Sequence, residues 1–350
     1  MRGWPALFVA AALALGGCTS TPSPSPSTES ALRSTPTEVT TGLQAPWSVV
    51  WWHDIALVSE RDSGRILELR PDGTSRSIGT VGGVVHGGEG GLLGLAVHPS
   101  DQRLFAYSTG ADGNRVQWYD VTGSAGALRL GDPVTILSGL PASGTHNGGR
   151  IAFGPDDLLY VSVGDAQQRE RAQDRDYLGG KILRITDTGE VPADNPFPGS
   201  AVWSLGHRNV QGMAWAADGT MYASEFGQNT WDELNVIHKG GNYGWPLVEG
   251  RSDDDRFVDP VQQWPTDEAS PSGLTIAGST IYLANLRGER LRAVPIANPA
   301  QSQSIWTGEY GRLRDVAQAP DGRLWVLTNN TDGRGEPREG DDRILSVRVG

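Results

Sequence analysis

Apolar and polar positions alternate along this chain in short runs, and one kind of run recurs six times. Residues 54–60, 101–107, 156–161, 218–223, 277–283 and 321–326 each pass from a turn into a short alternating strand that ends in small or polar residues. Successive copies start roughly 43 to 62 residues apart, the range for propeller blades carrying insertions of different length. Turn signals such as Pro71-Asp-Gly73 and Pro320-Asp-Gly322 punctuate the runs. Helical periodicity is scarce and glycine is frequent, 47 residues in all, which favours β over α structure. A pair of β-sandwiches or a β-helix would also be rich in strands. The repeat length selects among these, because it fits a four-stranded blade and exceeds a solenoid coil. The expected fold is an all-β, six-bladed propeller of four-stranded antiparallel blades, whose closure removes exposed sheet edges.

In such a ring, ligands bind where inner-strand ends converge at one mouth of the central channel. His146-Asn-Gly-Gly-Arg150 precedes the run Ile151-Ala-Phe-Gly154; Leu158-Leu-Tyr-Val-Ser-Val163 follows a Pro-Asp turn and stops at Gly164-Asp165. This reads as a hairpin with His146 and Asp165 at the same edge, able to serve as a base and its orienting carboxylate. A structural pairing would look the same. Three further loops carry complementary groups. Gly206-His-Arg-Asn209 offers Arg208 and Asn209, suited to a planar anion, or simply to a surface acid. The irregular loop 225–235 holds Asp232 and Glu233, carboxylates of the kind that bind a hard cation, in spacing that is not an EF-hand. Arg312 and Arg314, at i and i+2, share one face of a strand and need an anion between them. Arg287 ends the fifth repeat and can join them; Asp315, Glu289 or Glu309 could neutralise the group instead. Together these loops suggest a planar polyanion held with Ca²⁺ beside a general base.

The first residues read differently. Arg2, an apolar run over 6–15 and Leu15-Gly-Gly-Cys18 describe a secretory signal too short to span a bilayer. Cys18 is the only cysteine and follows a pattern that resembles the bacterial lipoprotein signal, in which that residue is lipidated. Residues 1–18 are therefore expected to be a signal peptide ending at Cys18, 19–38 a Ser/Thr/Pro-rich tether, and 39–350 the propeller. This places the protein outside the bacterial cytoplasm, anchored to the membrane by lipid alone. A net charge of −12 argues against nucleic acid as a partner. With no cysteine after Cys18, stability must come from core burial. The only lysines are Lys181 and Lys239, which reads as genome composition.

Across the propeller region the chain resembles the soluble quinoprotein glucose/sorbosone dehydrogenase family, which includes the aldose sugar dehydrogenases. The matching stretches are Gln44-Ala-Pro-Trp-Ser48, Gly88-Glu-Gly-Gly-Leu-Leu-Gly-Leu-Ala-Val-His-Pro99, His146-Asn-Gly-Gly-Arg150 with Gly164-Asp165, Leu178-Gly-Gly-Lys-Ile-Leu-Arg184, Gly206-His-Arg-Asn209, Asp232-Glu-Leu-Asn235 with Asn242-Tyr-Gly-Trp-Pro246, Pro271-Ser-Gly-Leu274 and Gly311-Arg-Leu-Arg-Asp315. The resemblance implies oxidation of an aldose sugar at C1 to a lactone with pyrroloquinoline quinone (PQQ) and Ca²⁺, and transfer of the electrons to an external acceptor. It makes His146 the base that takes the C1 hydroxyl proton, Asp165 its orienting partner, and Arg208 the group that stabilises charge on the quinone. Asn209, Glu89, Arg287, Arg312 and Arg314 fall at positions around the cofactor. The carbonyls of Gly227 and Gln228 match a cofactor calcium loop, and Glu233 and Tyr243 a second, structural calcium. Three departures stand out: Glu89 where the glucose dehydrogenases have glutamine, Arg287 where they have lysine, and Asn329 where an acid is usual. Phe226 and Gln228 also replace the usual Gln and Pro of the calcium loop. The loops between Trp245 and Pro271 are short, as for an open, broadly specific mouth. A non-catalytic propeller lipoprotein that binds sugar or a protein, or a propeller lactonase, are the competing readings.

Overall fold

In the computed structural model, which describes residues 1–4, 32 and 34–349, the chain builds six four-stranded antiparallel sheets. They belong to the unit Ala31–Gly350. The expected signal peptide, Cys18 and most of the tether lie outside the described residues.

Each blade begins with an inner strand: Pro46–Trp52, Leu92–Val97, Ile151–Phe153, Val210–Trp215, Pro271–Ala277 and Leu313–Gln318. Inner strands of successive blades contact one another around the axis. The six recurring runs are the second strands, Ile55–Glu60, Leu104–Gly110, Leu159–Val163, Met221–Glu225, Thr280–Asn285 and Leu324–Thr328. They are buried along almost their whole length, because each blade is packed between two others. Outer strands such as Ser75–Thr80 and Gln303–Ile305 are mostly half-buried or exposed.

Blade stacking accounts for the core. Six apolar clusters form, one per interface between neighbours. Leu57, Ile66 and Ile78 of the first blade meet Leu92, Leu104 and Tyr119 of the second. On the other flank of the first blade, Leu327 and Ile344 of the last blade meet Leu43, Val49, Val58 and Leu67. Each fully buried Leu or Ile in such a cluster contributes about 1.5–3 kcal/mol through surface removed from water.

The last blade is assembled from both ends of the chain. Thr37–Thr40 pairs antiparallel with Ile344–Val347, and Leu32 bridges Val349. The tether expected through residue 38 therefore gives way to strand at Thr37. The edge of Ile344–Val347 needs a partner; the mostly polar Thr-Glu-Val-Thr stretch supplies backbone hydrogen bonds, and its one apolar side chain, Val39, packs on the neighbouring cluster.

Five of the six inner strands carry a register shift near their first residues, at Pro46/Ser48, Leu92/Leu95, Val210/Gly212, Pro271/Leu274 and Leu313/Asp315. Bulges of this kind re-aim side chains beside functional sites. Here they ring one mouth of the channel, where the inner strands start and the second strands end.

Candidate active site

The hairpin of the third blade forms as its pattern predicts, with Ile151–Phe153 paired to Leu159–Val163. Glycines let its two ends close on each other. Gly148 has φ +64°, and a Cβ on Gly164 would lie 2.0 Å from the His146 carbonyl oxygen. His146 itself is held at φ +60°. Its Nδ1 lies 2.7 Å from Asp165 Oδ1. Asp165 is fully buried; its Oδ1 also accepts the Gln167 N–H at 2.8 Å, and its Oδ2 accepts Trp245 Nε1–H at 2.8 Å. Burial alone would push this carboxyl up, but hydrogen bonds from His146, Gln167 and Trp245 overcome it and hold Asp165 below its ordinary value. An ionised Asp165 only accepts, so Nδ1 carries the proton and Nε2 keeps its lone pair.

His146 opens onto a cavity of about 220 Å³ that Glu89, Arg208, Asn209, Gln228, Arg287, Arg312 and Arg334 also line. Three donors on this wall are buried without partners: Arg208 Nε, Asn209 Nδ2 and Arg312 Nε. Such donors carry a desolvation cost unless an acceptor meets them. The remaining contacts hold them in place. Asn209 Oδ1 accepts the Gly148 N–H at 2.9 Å. Arg208 Nη1 donates to the Phe226 carbonyl at 3.1 Å. The backbone N–H groups of Arg208 and Asn209 both donate to Glu225 Oε1. Glu225 is in turn held by His207, whose Nδ1 lies 2.8 Å from Oε2 and whose Nε2 lies 2.8 Å from Ser204 Oγ. Ser204, His207 and Glu225 thus form a hydrogen-bonded serine–histidine–acid line, but Ser204 and His207 are completely buried. No substrate reaches that serine, so the line is a support and not a hydrolase site.

Two arginine assignments separate. Arg312 reaches the cavity and donates to Asp332 Oδ2 at 3.1 Å. Arg314 does not line it. Its Nη1 donates to Gln211 Oε1 at 2.7 Å and Ser272 Oγ at 3.2 Å, and Nη2 lies 3.8 Å from Asp332. The Asn329 side-chain oxygen, with its amide oriented to suit, accepts Arg314 Nε–H at 2.8 Å. The i, i+2 expectation that the two need an anion between them is met, with the anion supplied by the chain itself. Asp332 lies between the two guanidiniums, whereas Asp315 pairs with Arg150. Burial pulls the Arg314 guanidinium down to about 9, and the Asp332 charge opposes this. Arg287 lines the cavity from an exposed position.

The cation loop is shaped by an acid absent from the sequence expectation. Glu249 Oε1 accepts the N–H groups of Gln228, Asn229, Thr230 and Trp231 at 2.7, 3.1, 3.0 and 3.3 Å. Asp232 Oδ1 accepts the Gly227 N–H at 2.8 Å, and burial raises its carboxyl to about 7. Behind the loop, Glu225, Glu233, Glu249 and Tyr243 line a second, much smaller cavity. Glu233 is raised to about 8 by burial and by the nearby Glu225 charge. The Tyr243 hydroxyl donates to the Val236 carbonyl and accepts the His238 N–H, so only the main chain of Tyr243 is left as a ligand. Among the described residues no three side chains of His, Cys, Asp or Glu gather as a ready metal cluster.

Trp245, Arg334 and Glu249 escaped the sequence reading as site residues. Trp245 sits in the matched Asn-Tyr-Gly-Trp-Pro stretch, which was the one signal for it.

This is a closed propeller whose one mouth joins a histidine base to a wall of unsatisfied guanidinium and amide donors, an architecture for chemistry on a ligand held beside an anion. The glucose/sorbosone dehydrogenase family model matches residues 43–336, and the chain belongs to that family. An aldose sugar dehydrogenase of Escherichia coli is 30% identical over 345 residues, covering 83% of this chain and 89% of that protein. Quinoprotein glucose dehydrogenase B of Acinetobacter calcoaceticus is 34% identical over 259 residues, 63% of this chain and 54% of its own. Among solved structures, the PQQ-bound aldose sugar dehydrogenase of Streptomyces coelicolor is similar with a TM-score of 0.86 and 49% identity, over 90% of this chain and 97% of that one.

Proposed function

We propose that this protein is an oxidoreductase that oxidises aldose sugars at C1 to lactones, with PQQ and Ca²⁺ at the His146 cavity and an external electron acceptor. The same reading places it outside the cytoplasm on a lipid-modified Cys18. One observation carries the assignment. Arg208 Nε, Asn209 Nδ2 and Arg312 Nε, all buried and unpaired, border the cavity that His146 faces. Those donors suit an acceptor-rich, anionic group, and the names of the relatives supply its identity. When bound, PQQ supplies a two-electron acceptor.

The residues of the chain do the rest. His146 Nε2, left as an acceptor by the Asp165 bond, takes the proton of the anomeric hydroxyl. Asp165 holds the ring and stabilises the imidazolium that forms. Arg208 and Asn209, fixed from behind by Glu225, present positive charge and an N–H donor to developing negative charge without reorganising. Main-chain oxygens of the 227–228 loop, with the carboxylates around it, suit a hard cation.

Glu89, where the glucose dehydrogenases have glutamine, would place a negative charge beside a bound anion, which would favour the non-catalytic propeller. That argument weakens, because Arg334 Nη1 lies 2.8 Å from Glu89 Oε1 and offsets its charge.

The test is a titration of residues 31–350 with PQQ and Ca²⁺, followed by addition of an aldose. Saturable uptake and bleaching of the quinone absorbance by sugar are expected. Absence of uptake at micromolar PQQ would refute the enzyme reading.

A further inference from the structure

Glu89 and Arg334 come from distant parts of the chain, and both line the cavity that His146 faces. Glu89 is bonded at both carboxylate oxygens. Oε1 accepts Arg334 Nη1–H at 2.8 Å, and Oε2 accepts the backbone N–H of His146 at 2.8 Å. The Glu89 N–H itself donates to the Gly144 carbonyl at 2.9 Å, so segment 88–89 is tied to 144–146 at two points. The His146 backbone has φ +60°, a conformation that costs a histidine energy and persists only where surrounding bonds enforce it. Arg334 is itself held. Its backbone N–H donates to Asp332 Oδ1 at 2.9 Å, and Asp332 Oδ2 binds Arg312. A continuous line therefore runs from Arg312 through Asp332, Arg334 and Glu89 to the backbone of the base. Burial would raise the Glu89 carboxyl, but Arg334 and the His146 N–H hold it below its ordinary value, so it is charged at neutral pH.

We propose that Arg334 is a positioning residue: through Glu89 it holds the backbone of His146, and its charge makes Glu89 compatible with an anion in the cavity. The second half rests on the PQQ reading above; the first does not. Glu89 and Arg334 then form a matched pair, in which Glu89 without Arg334 is worse than both or neither.

The experiment compares wild type with E89Q, R334Q, R334K and E89Q/R334Q. PQQ affinity is read from quenching of tryptophan fluorescence, and hydrogen–deuterium exchange is followed in the apoprotein over residues 144–148. R334Q leaves Glu89 uncompensated and should weaken PQQ binding about fivefold, the scale of one partly exposed ion pair. E89Q keeps an oxygen for the His146 N–H and sheds the charge, so its affinity should stay within about twofold of wild type. The double variant should return to within about twofold of wild type, and R334K should largely rescue. Exchange over 144–148 should rise in R334Q but not in R334K, with the Thr280–Asn285 strand unchanged as a control for general loosening. Additive effects in the double variant, or unchanged exchange in R334Q, would overturn the proposal. If wild type takes up no PQQ yet exchange rises in R334Q alone, the cofactor reading fails and the holding role stands.

Discussion

Trp245→Phe deletes one hydrogen bond behind the base. Phenylalanine keeps an aromatic face for Arg169 and Arg208, which rest on the indole at 4.9 and 5.5 Å, although it is one ring smaller. It removes the indole N–H, which lies 2.8 Å from Asp165 Oδ2. That oxygen belongs to a completely buried carboxylate, so no water replaces the lost donor. Leaving a buried charged acceptor short of one bond costs about 2 kcal/mol. For a domain of about 310 residues, an unfolding entropy near 0.65 kcal/mol/K converts this to a fall in Tm of about 3 °C. The same loss weakens the grip on His146. If all of it is felt in the transition state, kcat falls about 30-fold. PQQ affinity should stay within about twofold, because the indole N–H points to Asp165 and not to the cavity. With one donor fewer, the Asp165 carboxyl also rises, so the acid limb of the activity profile moves to higher pH. The assays are thermal denaturation of the apoprotein, PQQ titration and steady-state sugar oxidation with a dye acceptor. A variant that melts 3 °C lower yet turns over at the wild-type rate would refute the link between Trp245 and the base. A variant unchanged in both would refute the energetic weight given to the bond.

Other consequences follow from the same geometry. His146→Ala should still bind PQQ but lose about 10²- to 10⁴-fold in kcat, measured as bleaching per bound quinone. Arg312→Met should raise the PQQ Kd about tenfold or more and also lower Tm, because it takes from the buried Asp332 its 3.1 Å partner, whereas Arg314→Met should lower Tm by several degrees with a smaller change in Kd, because it strips partners from the buried Gln211, Ser272 and Asp332. Asp165 has a lowered folded-state value, so its contribution to stability is complete above its unfolded value near ~3.9 and is lost as pH falls through the folded value; Asp165→Asn should flatten that part of the acid denaturation curve. Glu249→Ala should free the N–H groups of residues 228–231 and weaken Ca²⁺-dependent PQQ uptake, read by titrating Ca²⁺ at fixed PQQ.

The sequence displays its second strands best, because they are buried on both faces and keep their apolar residues in register. Inner strands are harder to see, since bulges interrupt their alternation where they approach the site. Thr37–Thr40 carries a single apolar residue, Val39, too little for an alternating pattern; backbone pairing and the packing of Val39 recruit it. The His146–Asp165 pair was legible because one hairpin brings both ends together within 19 residues. The partners that complete it are 80 residues away for Trp245 and 245 for Arg334 relative to Glu89. No local pattern encodes such a meeting; only closure of the ring creates it. Asp332, the anion between Arg312 and Arg314, was missed for a related reason, since it comes from a loop beyond the second strand of the blade.

Closure of the last blade by Thr37–Thr40 also sets an order of events in time. The strand that leaves the ribosome first waits for the one that leaves almost last: Thr37 is bonded to Ser346, 309 residues later. Until Ile344–Val347 has been synthesised, the ring is an open arc with two unpaired faces, at 43–67 and at 327. Contacts so distant in sequence make for slow, late assembly. An open arc is also the form in which a chain can be threaded or held by a chaperone. A truncation that removes residues 32–40 would keep every residue of the His146 cavity and leave the last blade with three strands and an unpaired edge.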